Sequence, residues 1–135
     1  AEVEARLAAV NGHRFTATRN DNEYTPGIEV AFGAGRLRMM LDTGACCTWV
    51  TVSSAVGRAN LAQSHVVGNV SRLLGTTRSR SARIPLRFGA VARMLDIRLL
   101  EPDENDAREA GGIGADALRR CLVAISEDEI RGACR

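Results

Sequence analysis

The stretch Met39-Met40-Leu41-Asp42-Thr43-Gly44-Ala45-Cys46-Cys47 (MMLDTGACC) decides how the chain reads. An apolar run leads into a carboxylate, a hydroxyl and a glycine in succession, and small or apolar residues then return. Asp42 is the only acidic residue between Glu29 and Asp96. A lone carboxylate in apolar sequence is costly to bury as an ion. It is therefore either a turn residue facing water or a group held in place for chemistry.

Working outward, GIEVAF (27–32) and RLRMML (36–41) flank Gly33-Ala34-Gly35 and read as a hairpin around a glycine turn. CTWVTV (47–52) is rich in β-branched and aromatic residues and reads as a strand. SSAVGRANLA (53–62) offers a serine N-cap before a short helix or turn. Residues 66–88 read as long strands folded back near Gly75, and VARMLDIRLL (91–100) as a further strand. RFTATRN (14–20) alternates weakly. After Gly111-Gly112-Ile113-Gly114 come a short helix over 115–121 and a strand over 122–126, and Ser126 with Glu129 fits the capping box of a final helical turn. About eight short strands against two short helices, with no repeat or low-complexity linker, predict an all-β domain of sandwich or barrel type.

Composition fits one globular domain: 135 residues, 45% hydrophobic and 25% charged. No apolar run approaches the roughly 20 residues needed to span a bilayer. The first ten residues, with two Glu and an Arg, do not make a signal peptide. The chain starts at Ala, which suggests a processed product or a fragment and leaves the compartment open. With no clear disulfide framework in the sequence, the cytoplasm is slightly favoured. All 18 basic residues are Arg, and the net charge of +2 is spread unevenly. From Thr43 to Leu95 there are seven Arg and no acid, whereas residues 101–109 carry five acids and one Arg. The plain reading is a solvated basic face and an acidic surface loop. The sharper one is that the basic stretch meets an acidic peptide or an anionic polymer. Nucleic acid is disfavoured because the Arg-rich stretch 72–98 has Phe88 alone for stacking.

The four cysteines (46, 47, 121 and 134) lack CxxC spacing, and the two histidines (13 and 65) lie far apart, so no metal site is expected. Neighbouring Cys46 and Cys47 diverge in ordinary geometry, so reduced, packed thiols are expected. Were they oxidised, they would block a cleft or alter a dimer at this position. Trp49 reads as core.

The order of parts is informative: a glycine-turn hairpin, an apolar strand ending in Leu41-Asp42-Thr43-Gly44-Ala45 with Thr48, a long glycine-tipped hairpin, then Gly112-Ile113-Gly114-Ala115-Asp116-Ala117-Leu118. Over residues 24–126 this resembles the retropepsin-like aspartic proteases, the single-domain relatives of pepsin. The resemblance implies a closed all-β barrel or sandwich with one short C-terminal helix, active as a homodimer. It implies an N-terminal extension (1–23), a protease domain (24–126) and a C-terminal tail (127–135). It implies Asp42 as the catalytic carboxylate, supported by Thr43, Gly44 and Ala45. Leu74, Gly75 and Thr76 would form a flap, with Gly68 as the rival tip, and Ile113, Gly114 and Asp116 would lie under the site. No cofactor is implied; the partners would be a second copy and a peptide or protein substrate. Two carboxylates within hydrogen-bonding distance share one proton, so one can act as base and the other as acid. A single Asp-Thr-Gly per chain requires the second carboxylate to come from a second copy.

Departures from the family pattern bear on how the chain works. Cys46 and Ala115 stand where retroviral members place an ion pair. Gly112 stands where a large aliphatic residue is usual, which predicts weaker packing under the catalytic loop. The sequence therefore supports an endopeptidase, and alternatively a weak or inactive module that keeps the fold to bind or dimerise.

Overall fold

The expected strand pair forms. β2 (Gly27–Phe32) and β3 (Gly35–Leu41) pair antiparallel from Gly27↔Met40 to Phe32↔Gly35. Val30 and Met39 are fully buried, so each strand turns an apolar face inward. The architecture is that of a computed structural model, which describes residues 1–33, 35–72, 75–101 and 110–135. Its remaining strands are β1 (His13–Thr18), β4 (Trp49–Thr51), β5 (His65–Arg72), β6 (Gly75–Phe88), β7 (Val91–Leu100), β8 (Gly111–Ile113), β9 (Cys121–Ile125) and β10 (Glu129–Cys134), and its helices are α1 (Glu2–Ala9) and α2 (Ala55–Asn60).

The strand order β5-β6-β7-β4-β8-β3-β2-β1-β10-β9 gains a further pairing of β6 with β2, through Val30↔Phe88, Ala31↔Arg87 and Phe32↔Leu86. That pairing closes six strands (β2, β3, β8, β4, β7, β6) into a barrel, which removes their free edges. The fold is all-β, as the sequence predicts. The barrel is filled by Val30, Met39, Val50, Phe88, Val91, Ile97, Leu99 and Ile113, all fully buried. Phe15 and Phe88 meet edge to face with ring centroids 5.2 Å apart.

One feature of the topology positions the site. β8 inserts between β3 and β4, parallel to β3 (Leu41↔Ile113) and antiparallel to β4 (Trp49↔Gly112). The chain leaving β3 must therefore travel around the end of β8 before it returns as β4. Residues 42–48 make that wide connection.

The two ends of the chain join the sheet. Segments 1–23 and 127–135 supply β1 and β10, which pair from His13↔Cys134 to Thr18↔Glu129 within the same sheet. Leu7 of α1 is buried, which fastens the helix down. The expected helical turn at 126–129 is a hairpin turn between β9 and β10, in which Ser126 donates from both N and Oγ to the Glu129 carbonyl. Segment 115–121 is a run of i→i+3 turns, with the N–H groups of Ala117, Leu118 and Cys121 donating to the carbonyls of Gly114, Ala115 and Leu118. The helix expected after Ser53-Ser54 is α2, and the Ser54 hydroxyl accepts from Gly57 N as its cap.

Glu23 and Arg38 tie the loop before β2 to β3. The Arg38 Nη2 lies 2.6 Å from Glu23 Oε1 and 2.7 Å from the Thr18 carbonyl, and Asn20 N donates to Glu23. The hydrogen bond from Arg38 holds the Glu23 carboxyl below the ordinary glutamate range, against the opposing effect of burial. A depressed carboxyl stabilises the fold above its unfolded-state value and loses that contribution as pH falls through the folded value. Thermal melts should therefore show wild type losing more stability than Glu23→Gln as pH drops below 4.5, the ordinary glutamate value. Parallel losses in the two proteins would contradict this role.

Candidate active site

Asp42 begins the wide connection. Its N–H continues the β3–β8 pairing by donating to the Ile113 carbonyl at 2.9 Å, and its carbonyl accepts from Ala45 N. The next hydrogen bonds run from the 114–117 segment. Ala115 N donates to the Ala45 carbonyl at 2.9 Å and Asp116 N to the Cys46 carbonyl at 3.2 Å. Asp116 Oδ1 then accepts three bonds: from Thr48 N (2.9 Å), Thr48 Oγ1 (2.7 Å) and Ala117 N (2.9 Å). The fully buried Thr48 hydroxyl in turn accepts from Gly114 N at 3.1 Å. The two loops are thus zipped together over their length. Gly114 is required for that approach, because a Cβ there would stand 2.5 Å from the Cys47 backbone carbon.

Gly112 is explained by the same packing. A Cβ on Gly112 would lie 2.5 Å from Trp49 Nε1, so the indole occupies the space that a large side chain would have filled. The expected weakness under the loop is therefore compensated. Trp49 is half-buried rather than core, and it lines the hollow that holds Asp42.

That hollow has a volume of about 510 Å³. Asp42, Ala45, Cys46, Cys47 and Trp49 line it from the loop side, Val67, Gly68, Asn69 and Ser79 from the β5–β6 hairpin, and Arg98 and Leu100 from β7. Asp42 is half-buried, and no ion pair among the described residues involves it. The Ser79 hydroxyl is buried without a hydrogen-bond partner among the described residues. An unsatisfied buried hydroxyl costs about 1–3 kcal/mol unless a ligand or water completes it. Another hollow, of about 510 Å³, crosses β2, β6 and β7, and no carboxylate lines it.

The predicted site residues divide as follows. Asp42, Ala45, Ile113, Gly114 and Asp116 come together in the zipped loops, Ile113 being fully buried. Thr43 and Gly44 are adjacent to them and exposed. Gly75 opens β6 opposite Arg72, and the exposed Thr76 pairs with Ser71. Leu74 lies outside the described residues. The rival tip, Gly68, sits at a bulge in β5 with φ of +143° and lines the hollow that holds Asp42. Arg98 went unnoticed in the sequence because nothing local distinguishes it from the other arginines of β6 and β7.

The cysteines overturn one expectation. Cys46 is bonded to Cys47, and Cys121 to Cys134, and no described cysteine is free. Residues 46–47 form a bend rather than a strand, so the two side chains do not diverge to opposite faces. Cys121 and Cys134 are direct partners across β9 and β10. No helix among the described residues is long and apolar enough to cross a membrane.

No protein-family model matches the chain, and no curated protein matches it. Among solved structures, a retropepsin-like aspartic protease from Rickettsia conorii is similar at a TM-score of 0.64, covering 87% of this chain and 97% of its own, at 14% sequence identity. At that identity the similarity speaks for the fold, which is the retropepsin-like all-β barrel.

Proposed function

We propose that the chain is an aspartic endopeptidase whose active site forms between two copies, each contributing Asp42. The observation that carries this reading is the placement of Asp42. It is a carboxylate with no ion-pair partner among the described residues, on a loop zipped rigidly to its neighbour, facing a hollow in a retropepsin-like fold. Rigid support of this kind is what a positioned acid or base requires. The exposed Thr43 and Gly44 beside it are free to meet a second loop.

The chemistry needs no metal or covalent intermediate. One ionised Asp42 takes a proton from water as its oxygen attacks the peptide carbonyl carbon. The other, protonated, gives its proton to the carbonyl oxygen, forming a tetrahedral diol. Return of a proton to the amide nitrogen lets the C–N bond break, giving an acid and an amine. With both carboxyls protonated there is no base, and with both ionised there is no acid, so rate against pH is bell-shaped. The β5–β6 hairpin would close over an extended substrate, with Val67, Gly68 and Asn69 towards it. A second reading, a module of this fold that binds without cleaving, draws on the same single carboxylate, which alone has no acid partner. Incubating the purified chain with an unfolded protein at mildly acidic pH separates the two. Peptide release that is blocked by a hydroxyl-bearing transition-state analogue such as pepstatin supports the peptidase. Binding of the analogue without cleavage supports the module.

A further inference from the structure

A further hollow, of about 580 Å³, adjoins the one that holds Asp42 and shares Cys47 and Arg98 with it. Six arginines line it: Arg83, Arg93, Arg98, Arg119, Arg120 and Arg135. Among the described residues two carboxylate side chains do so, Asp96 and Asp116. Asp96 pairs with Arg83 at 3.4 Å, and Asp116 is committed to Thr48 and Ala117. Among these described side chains, six positive charges against two negative ones leave a net of four. The excess is drawn from β6, β7 and both sides of the β9–β10 pair, so it is a product of the fold rather than of one charge run.

The hollow is also built rather than floppy. The Arg93 guanidinium donates to the Ala117 carbonyl at 3.1 Å and to the Arg119 carbonyl at 3.0 Å. Arg120 and Arg135 directly flank the Cys121–Cys134 disulfide, and Arg135 N donates to the Arg120 carbonyl. Arg120 stands at φ +60°, a conformation that is uncommon outside glycine and persists where its surroundings impose it. Burial, and to a lesser degree the charge of Arg120, hold Arg93 below the ordinary guanidinium range. The side chains of Arg98 and Arg119 make no hydrogen bond among the described residues.

We infer that this arginine hollow binds acidic side chains of the peptide that occupies the Asp42 pocket, at positions further along the chain from the scissile bond. The inference rests on the peptidase reading for the direction of the peptide, and Cys47 and Arg98, which line both hollows, place the two side by side. Carboxylates match the fork of a guanidinium, and each such pair is a charge-assisted hydrogen bond. A nucleic acid fits less well. Among the described residues, Met94 and Leu95 join the lining and no aromatic ring is there for a base to stack on, and Asp96 and Asp116 would face the phosphates.

The test uses Asp42→Asn protein and a labelled extended peptide with an apolar centre and glutamates towards one end, beside its glutamine counterpart. Fluorescence anisotropy at low salt should show the glutamate peptide bound about tenfold more tightly, and the ratio should shrink as salt is raised. In Arg98→Gln and Arg119→Gln, each made in the same background, the ratio should fall towards one. Equal affinity for the two peptides overturns the inference, as does a ratio that both arginine variants retain. Tighter binding of a single-stranded oligonucleotide than of the glutamate peptide also overturns it. Charge-selective binding with no cleavage by the Asp42 protein leaves the acidic site standing and sinks the peptidase instead.

Discussion

Asp42→Asn is expected to lower peptide hydrolysis by about a thousandfold or more, because an amide can neither take a proton from water nor share one with a neighbour. The fold should survive. The hydrogen bonds Asp42 makes within the described chain use its backbone, to Ile113 and from Ala45, and asparagine keeps both. Initial rates on an unfolded substrate, measured beside thermal melts of the same samples, check both halves. Turnover within a few fold of wild type would remove Asp42 from the chemistry. A lost fold would mean that the carboxylate has a structural role absent from this account.

Asp116→Ala should have a large effect on stability. It removes the one oxygen that Thr48 N, Thr48 Oγ1 and Ala117 N all address, and Thr48 is fully buried. Donors stranded in the interior cost more than the net value of the bonds they made, so the expected loss is about 3 kcal/mol. For a domain of this size that is roughly 10 °C in Tm. Asp116→Asn, which keeps an acceptor oxygen in place, should cost far less. Urea denaturation of the three proteins decides the matter, and a loss below about 0.5 kcal/mol for Asp116→Ala would contradict the clamp, since that is the size of an ordinary surface change. Activity should fall with stability, because the clamp also fixes the loop that carries Asp42.

Much of this was legible in the sequence. Gly33–Gly35 between two apolar strands announced the β2–β3 hairpin, and the Leu41-to-Ala45 and Gly112-to-Leu118 segments announced the paired loops. What the sequence hid was mostly partnership. Ser126-Glu127-Asp128-Glu129 reads equally well as a helix cap and as a tight turn, and the choice depends on β1 being present to receive β10. Residues 129–134 read as a tail because Arg131 and Gly132 hide the strand pattern of β10, yet the Phe15 ring covers Gly132 from the neighbouring strand and makes good the missing side chain. Once the 126–129 turn is known, Cys121 and Cys134 fall opposite each other without further assumption. Gly112 shows the reverse case. It was read as a defect because its compensation, Trp49, lies on a strand more than sixty residues earlier.

The central claim is that two Asp42 carboxylates from two copies make one active site, and subunit mixing tests it most directly. Wild type and Asp42→Asn are combined at constant total concentration, allowed to exchange, and assayed for hydrolysis. If both carboxylates are needed, an equal mixture retains about a quarter of the wild-type rate, because only wild-type pairs are active. A mixture that retains half, in simple proportion to the wild-type chain present, would contradict the shared site.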